Sequence, residues 1–258
     1  MTRSPFSTPA ALLLGAGLIL MSVAAAAAAA PPVAHNAHAM HSGTVRYTLG
    51  LLQLGPSSTP GRTPRTDSIQ AGHMANIGRM ASMGVLAAAG PFAGRGALRG
   101  IFVWEPGTER IDTLLAADPA IAAGELECKL YDWLAPPGLG KDYQRRLAER
   151  GPDGQSRPDS MVTYGFVLLR GAGDDGSGAV HGKLAERHHA YHEKLRAEGR
   201  LIFAGAVDGA DDLRGVLILK GDSSAVAQAI ADDPAVRAKC FTPQVLRWWN
   251  AWGTIPGH

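Results

Sequence analysis

Apolar positions change their spacing repeatedly along the chain, and each change marks an element. Met161–Arg170 reads MVTYGFVLLR, rich in β-branched and aromatic residues, and predicts a strand. Leu184, His188, Tyr191 and Leu195 then recur every three or four positions. That spacing predicts a helix over His181–Glu198, with Gly199 placed to close it. Leu201–Val207 and Gly215–Lys220 predict two strands, separated by the turn-forming DGADD. Ser223 is placed to cap a helix running to Ala231. A short Asp-Pro turn follows, and Thr242–Trp249 predicts a last strand. The first half repeats the order: strand 45–54, helix 69–83, strands 85–92 and 99–104, helix 108–117 and strand 125–133.

The two halves also align residue by residue. A shift of 115 positions, without a gap from residue 73 to 133, places His73 on His188 and Gly84 on Gly199. The same shift places Ala89-Gly90 on Ala204-Gly205, Leu98-Arg99-Gly100 on Leu213-Arg214-Gly215, and Asp118-Pro119-Ala120 on Asp233-Pro234-Ala235. Trp133 falls on Trp248. A constant offset over so many identities points to tandem duplication of one domain. Each half reads βαββαβ, the ferredoxin-like order, whose sheet carries both helices on one face and leaves the other apolar. The expected fold is therefore α+β: two tandem ferredoxin-like units packed sheet to sheet, doing within one chain what a homodimer does with two. The space between the sheets is the expected place for a ligand pocket.

The N-terminus has another character. Arg3 is the only charge before an apolar run from Ala10 to Ala30, which ends in alanines followed by Pro31-Pro32. This is the layout of a secretory signal peptide, with an uncleaved anchor as the alternative. The expected mature protein starts between Ala26 and Val33 and is periplasmic or secreted, with no membrane association after cleavage. The expected organisation is a signal peptide at 1–30, a histidine-containing spacer at 31–44, a first domain at 45–134, a Pro- and Gly-rich linker at 135–160, and a second domain at 161–254. A helical turn is expected at Tyr143–Glu149 within that linker.

Composition narrows the function. With 46% hydrophobic and 19% charged residues the chain is ordinary globular material. Its 25 Lys+Arg against 23 Asp+Glu give a net charge of +2, and no basic stripe points to nucleic acid. Two cysteines cannot build a disulfide scaffold or a four-cysteine zinc site. They stand 112 apart, off the repeat, so a Cys128–Cys240 bridge is an open question rather than a repeated feature. His35, His38 and His41 with Met40 in the spacer offer soft-metal ligands, which leaves metal handling as one alternative function.

His73 and His188 carry the main chemical expectation. Each replaces a core residue on its helical stripe, and an imidazole can exchange a proton at neutral pH. Asp118 and Asp233, each before a proline, suit helix capping and equally suit orienting a histidine. Arg99 and Arg214 precede strand-opening glycines. They either hold a substrate carboxylate or phenolate or remain exposed at strand ends. His188 and His192 share a helix face, but Ile77 stands at the matching first-half position and no carboxylate follows as in HExxH, so no metal and no cofactor is expected. Trp248, Trp249 and Trp252 either line an aromatic pocket or seal a domain edge.

The ordered set resembles the YCII-related (YciI-like) domain family: a helix histidine, an Ala-Gly turn sixteen residues later, an Arg-Gly strand opening, a helix ending in Asp-Pro-Ala, and a strand closing on Trp. The resemblance covers about 45–134 and 161–250. It implies a dimeric α+β barrel and a histidine–aspartate active site, here His73 with Asp118 and His188 with Asp233. Some members of that family are associated with dehydrohalogenase-type lyase chemistry on hydroxylated aromatics. The family often carries an arginine three residues before the histidine, where this chain has Gln70 and Ala185. The expected function is thus a lyase or isomerase acting on a small molecule through His–Asp general acid/base chemistry. A non-catalytic small-molecule binding module is the other alternative.

Overall fold

The structure, a computed structural model, describes residues 43–154, 159–172, 180–208 and 211–257. The signal-peptide and spacer expectations, including His35, His38 and His41, lie outside the described residues. The first half comprises β1 (Val45–Leu54), α1 (Pro64–Ser82), β2 (Leu86–Pro91), β3 (Leu98–Trp104), α2 (Ile111–Ala116), α3 (Pro119–Ala122) and β4 (Leu126–Ala135). α4 (Lys141–Gly154) follows. The second half comprises β5 (Met161–Gly171), α5 (Gly182–Ala197), β6 (Leu201–Asp208), β7 (Leu213–Leu219), α6 (Ser223–Ala231), α7 (Pro234–Arg237) and β8 (Phe241–Ala251). No helix of the described residues is long and apolar enough to cross a membrane.

Local sequence explains the boundaries. α1 begins five residues before the first apolar stripe position because Thr63 caps it, exchanging hydrogen bonds with Thr66, and Pro64 opens it. Both long helices end alike. Gly84 and Gly199 sit at φ +69° and +67°. The next residue's N–H, on Val85 and Arg200, reaches back to the carbonyls of Met80 and Leu195. Asp222, not Ser223, caps α6 through the Ala225 N–H. In the linker region, α4 is longer than the single turn expected. It docks on the end of β8: Gly140 N–H donates to the Thr254 carbonyl and Tyr143 N–H to that of Gly253.

All eight strands form one antiparallel sheet in the order β2-β3-β1-β4-β6-β7-β5-β8. The halves join edge to edge within it, a contact that the expected sheet-to-sheet packing did not specify. β4 pairs with β6 through Trp133↔Val207, and a bridge Phe92↔Trp248 ties β2 to β8. These two seams correspond under the 115-residue shift. A glycine sits in each, where a Cβ at Gly205 would meet Trp133 Nε1 at 2.5 Å and one at Gly90 would meet Trp248 Nε1 at 2.7 Å. The small residue lets the sister half's indole lie against the strand.

The core is layered. Tyr47, Leu49, Ile101 and Trp133 of the first half meet Phe166, Leu168, Phe203 and Trp248 of the second in one central cluster. Each half then has its own helix-to-sheet cluster. Met80, Phe102 and Trp104 belong to the first, and Leu195, Leu217, Val226 and Phe241 to the second. The space between the halves is therefore occupied by large side chains, with Trp133 and Trp248 fully buried.

Candidate functional site

His73 and His188 lie on the helix side of the sheet, not between the halves. His73 stacks on Phe102 of β3 with ring centroids 5.8 Å apart, and His188 lies 5.8 Å from the Phe241 ring. This moves the candidate site out of the expected pocket. A stripe position shows that a residue faces a core; it does not show which of two cores.

In the first half, Asp118 caps α3, accepting from the N–H groups of Ala120 and Ile121. The same carboxylate meets His73 Nδ1 at 2.9 and 3.0 Å and accepts from Asn76 Nδ2 at 3.0 Å. Arg79 in turn donates to Asn76 Oδ1 at 2.6 Å. The capping and histidine-orienting roles of this aspartate are thus combined in one side chain. Gly72 makes the approach possible, because a Cβ there would meet Pro119 Cγ at 2.7 Å. Asp118 is fully buried and His73 is 7% exposed. Burial alone would raise the Asp118 carboxyl. The hydrogen bond and charge of His73, with the Asn76 amide and the Ala120 N–H, outweigh it and hold the group below the usual carboxylate value.

The second half repeats the pair and changes its neighbour. His188 Nδ1 lies 2.7 Å from Asp233 Oδ1, which also accepts from the Ala235 N–H at 2.8 Å. His192 Nε2 lies 2.9 Å from Asp233 Oδ2. Burial opposes ionisation of Asp233, but its bonds to His188 and His192 prevail and keep it well below the usual range. Burial pushes His192 below the usual histidine value, and neighbouring His188 adds to this against the pull of Asp233. Both carboxylates are therefore ionised acceptors at neutral pH, and each histidine has one nitrogen committed to them.

The remaining candidates lie elsewhere. The Arg99 guanidinium reaches the Gly96 carbonyl, and that of Arg214 reaches the carbonyls of Asp211 and Leu213, so both engage the backbone of their own hairpins. Cys128 and Cys240 are free thiols. They belong to the helix-to-sheet clusters of different halves, which answers the open disulfide question. Burial pushes the Cys128 thiol up to about 12, with the charge of Asp118 adding to it, so this is no nucleophile. Trp248 seals a seam, whereas Trp249 and Trp252 are half exposed. An open groove along α4 is lined by Arg145, Arg146, Tyr164, Lys220 and Trp252, and neither histidine pair lines it.

Two site residues were missed as aspartate partners: Asn76, three after His73, and His192, four after His188. Their helical spacing was the available signal.

A family model described as the YCII-related domain matches residues 166–250. That span contains His188, His192 and Asp233. No curated protein matches the chain. Among solved structures, a chlorite dismutase from Candidatus Nitrospira defluvii is similar at TM-score 0.50 and 12% identity, over 83% of this chain and 93% of that one. A structure described as a novel heme-binding protein from Thermus thermophilus aligns at TM-score 0.47 and 15% identity, over 84% and 94%. At such identity the chlorite dismutase likeness speaks to the α+β fold alone.

Proposed function

We propose that the chain is an exported enzyme, a lyase or isomerase that moves a proton on a small molecule by His–Asp chemistry. We read its architecture as two ferredoxin-like units duplicated in tandem and joined as an intramolecular dimeric α+β barrel. The reading rests on one observation above all: His73–Asp118 and His188–Asp233 both form buried Nδ1–carboxylate pairs, each spanning 45 residues of sequence. With Nδ1 held by the carboxylate, Nε2 is the ring nitrogen that takes or delivers the proton. The aspartate fixes the orientation of the ring. The matched family domain supports the assignment for the second half, and the 115-residue repeat carries it to the first. Export rests on the charge and hydrophobic layout of residues 1–30.

The test replaces both bases, His73→Gln and His188→Gln, in the purified protein, assayed against small hydroxylated and halogenated aromatics. Loss of turnover by about 10²–10⁴-fold with the fold intact is the expected result. Equal turnover in a folded double variant overturns the assignment.

A further inference from the structure

The two halves differ at one point that the proton-transfer reading does not use. Where the first half has Ile77, the second has His192, and its Nε2 turns to the same carboxylate as His188 Nδ1. One ligand atom each from His188, His192 and Asp233 lies within 4.8 Å of the others, and all three residues are buried. The imidazole rings stand 4.2 Å apart at 57°. The first half shows what suffices to satisfy the aspartate alone: one histidine, an asparagine amide and backbone N–H groups. A second imidazole converging on the carboxylate supplies instead a nitrogen, nitrogen, oxygen donor set.

We propose that His188 Nδ1, His192 Nε2 and Asp233 form a binding site for one first-row divalent transition cation, of the zinc type. Two neutral imidazoles and a carboxylate suit such an ion rather than calcium or magnesium, which take oxygen donors. Tetrahedral zinc with bonds of about 2.0–2.2 Å holds its ligands about 3.3 Å apart, and the three donor atoms lie within 4.8 Å of one another, so side-chain adjustment of about an ångström brings them onto one ion. On binding, each histidine keeps one proton, moved to its other ring nitrogen, and Asp233 exchanges two N–H donors for the ion. Three protein ligands leave a fourth position for water or a ligand oxygen. The first half has no equivalent, because Ile77 offers no donor. With the ion in place, proton transfer falls to His73–Asp118. The inference does not depend on that activity, since its readout is metal stoichiometry.

The experiment uses the full chain with His35→Gln, His38→Gln and His41→Gln, which removes the spacer ligands. Zinc is titrated against a chromophoric chelator, and cobalt(II) is added separately to read its visible absorption. One tightly held equivalent and a tetrahedral cobalt spectrum are expected. His192→Ile, which restores the first-half residue, should abolish both while leaving the circular dichroism unchanged. His192→Asn, which keeps a polar side chain should the isoleucine variant fold poorly, should weaken zinc by more than the about 10–100-fold typical of losing an outer-shell partner. Absence of a stoichiometric equivalent, or retention of equal affinity in a folded His192 variant, overturns the proposal.

Discussion

Asp118 terminates a loop, starts a helix and positions an imidazole with the same two oxygens. Its folded carboxyl lies below the ordinary value, so between the two values the unfolded chain binds more protons, and stability rises with pH. That contribution is complete above about pH 5 and is lost as pH falls through about 4, the ordinary aspartate range, and below. Asp118→Asn keeps a capping oxygen but removes the charge. Denaturant unfolding should show a loss of about 1–3 kcal/mol at pH 7 and a shallower decline between pH 5 and 3 than in the parent chain. An unchanged acid slope would mean that the carboxylate is not held as the geometry indicates. The contacts His73–Asp118 and His188–Asp233 were legible in the sequence because the repeat paired these residues. Asn76 escaped because its role belongs to one half only. The His192–Asp233 contact escaped because Ile77 stands at the matching first-half position, so the repeat offered no pair to notice.

At the scale of elements, strands and long helices were readable from periodicity and turn residues, and their ends were set by caps. The first turn of α1 was missed because Arg65, Thr66 and Asp67 are solvated and carry no stripe; only the Thr63-Pro64 start signal was there to find. The seams were harder. Nothing in the spacing of β2 or β6 shows that the partner across the edge is an indole from the other half. Gly90 and Gly205 are the residues that make those contacts possible. Gly205→Ala should therefore cost about 1–3 kcal/mol in thermal or denaturant unfolding, the usual range for overpacking, and Gly90→Ala should behave alike. By contrast, alanine at Gly78, where a Cβ meets nothing within 4 Å in mid-helix, should be neutral or stabilising. Equal effects at all three sites would remove the seams as the reason for those glycines.

For the whole molecule, the α+β class followed from the sequence, whereas the edge pairing between halves was not specified by it. An apolar sheet face can be covered by stacking or by closing the strands into a ring. Hydrophobic pattern is the same in both cases; the β4–β6 pairing and the Phe92–Trp248 bridge are strand-edge contacts that no such pattern encodes. The central cluster draws on both halves, so neither should be stable alone. Residues 44–135 and 160–257, produced as separate chains and mixed, should associate into a one-to-one complex with the circular dichroism of the parent. Two independently folded monomers that ignore each other would contradict the shared core.

Closing both seams also has a consequence for synthesis. β1 to β4 leave the ribosome first, and until the second half arrives β2 and β4 each present a row of unpaired backbone groups, the kind of template on which chains aggregate. In the finished sheet β4 is paired with β6, and β2 meets β8 at the Phe92–Trp248 bridge. The nascent chain is thus most vulnerable during the interval in which α4 and the strands after it are still being made, and the covalent tether shortens that interval by delivering the correct partner to both bare margins before a foreign strand can reach them.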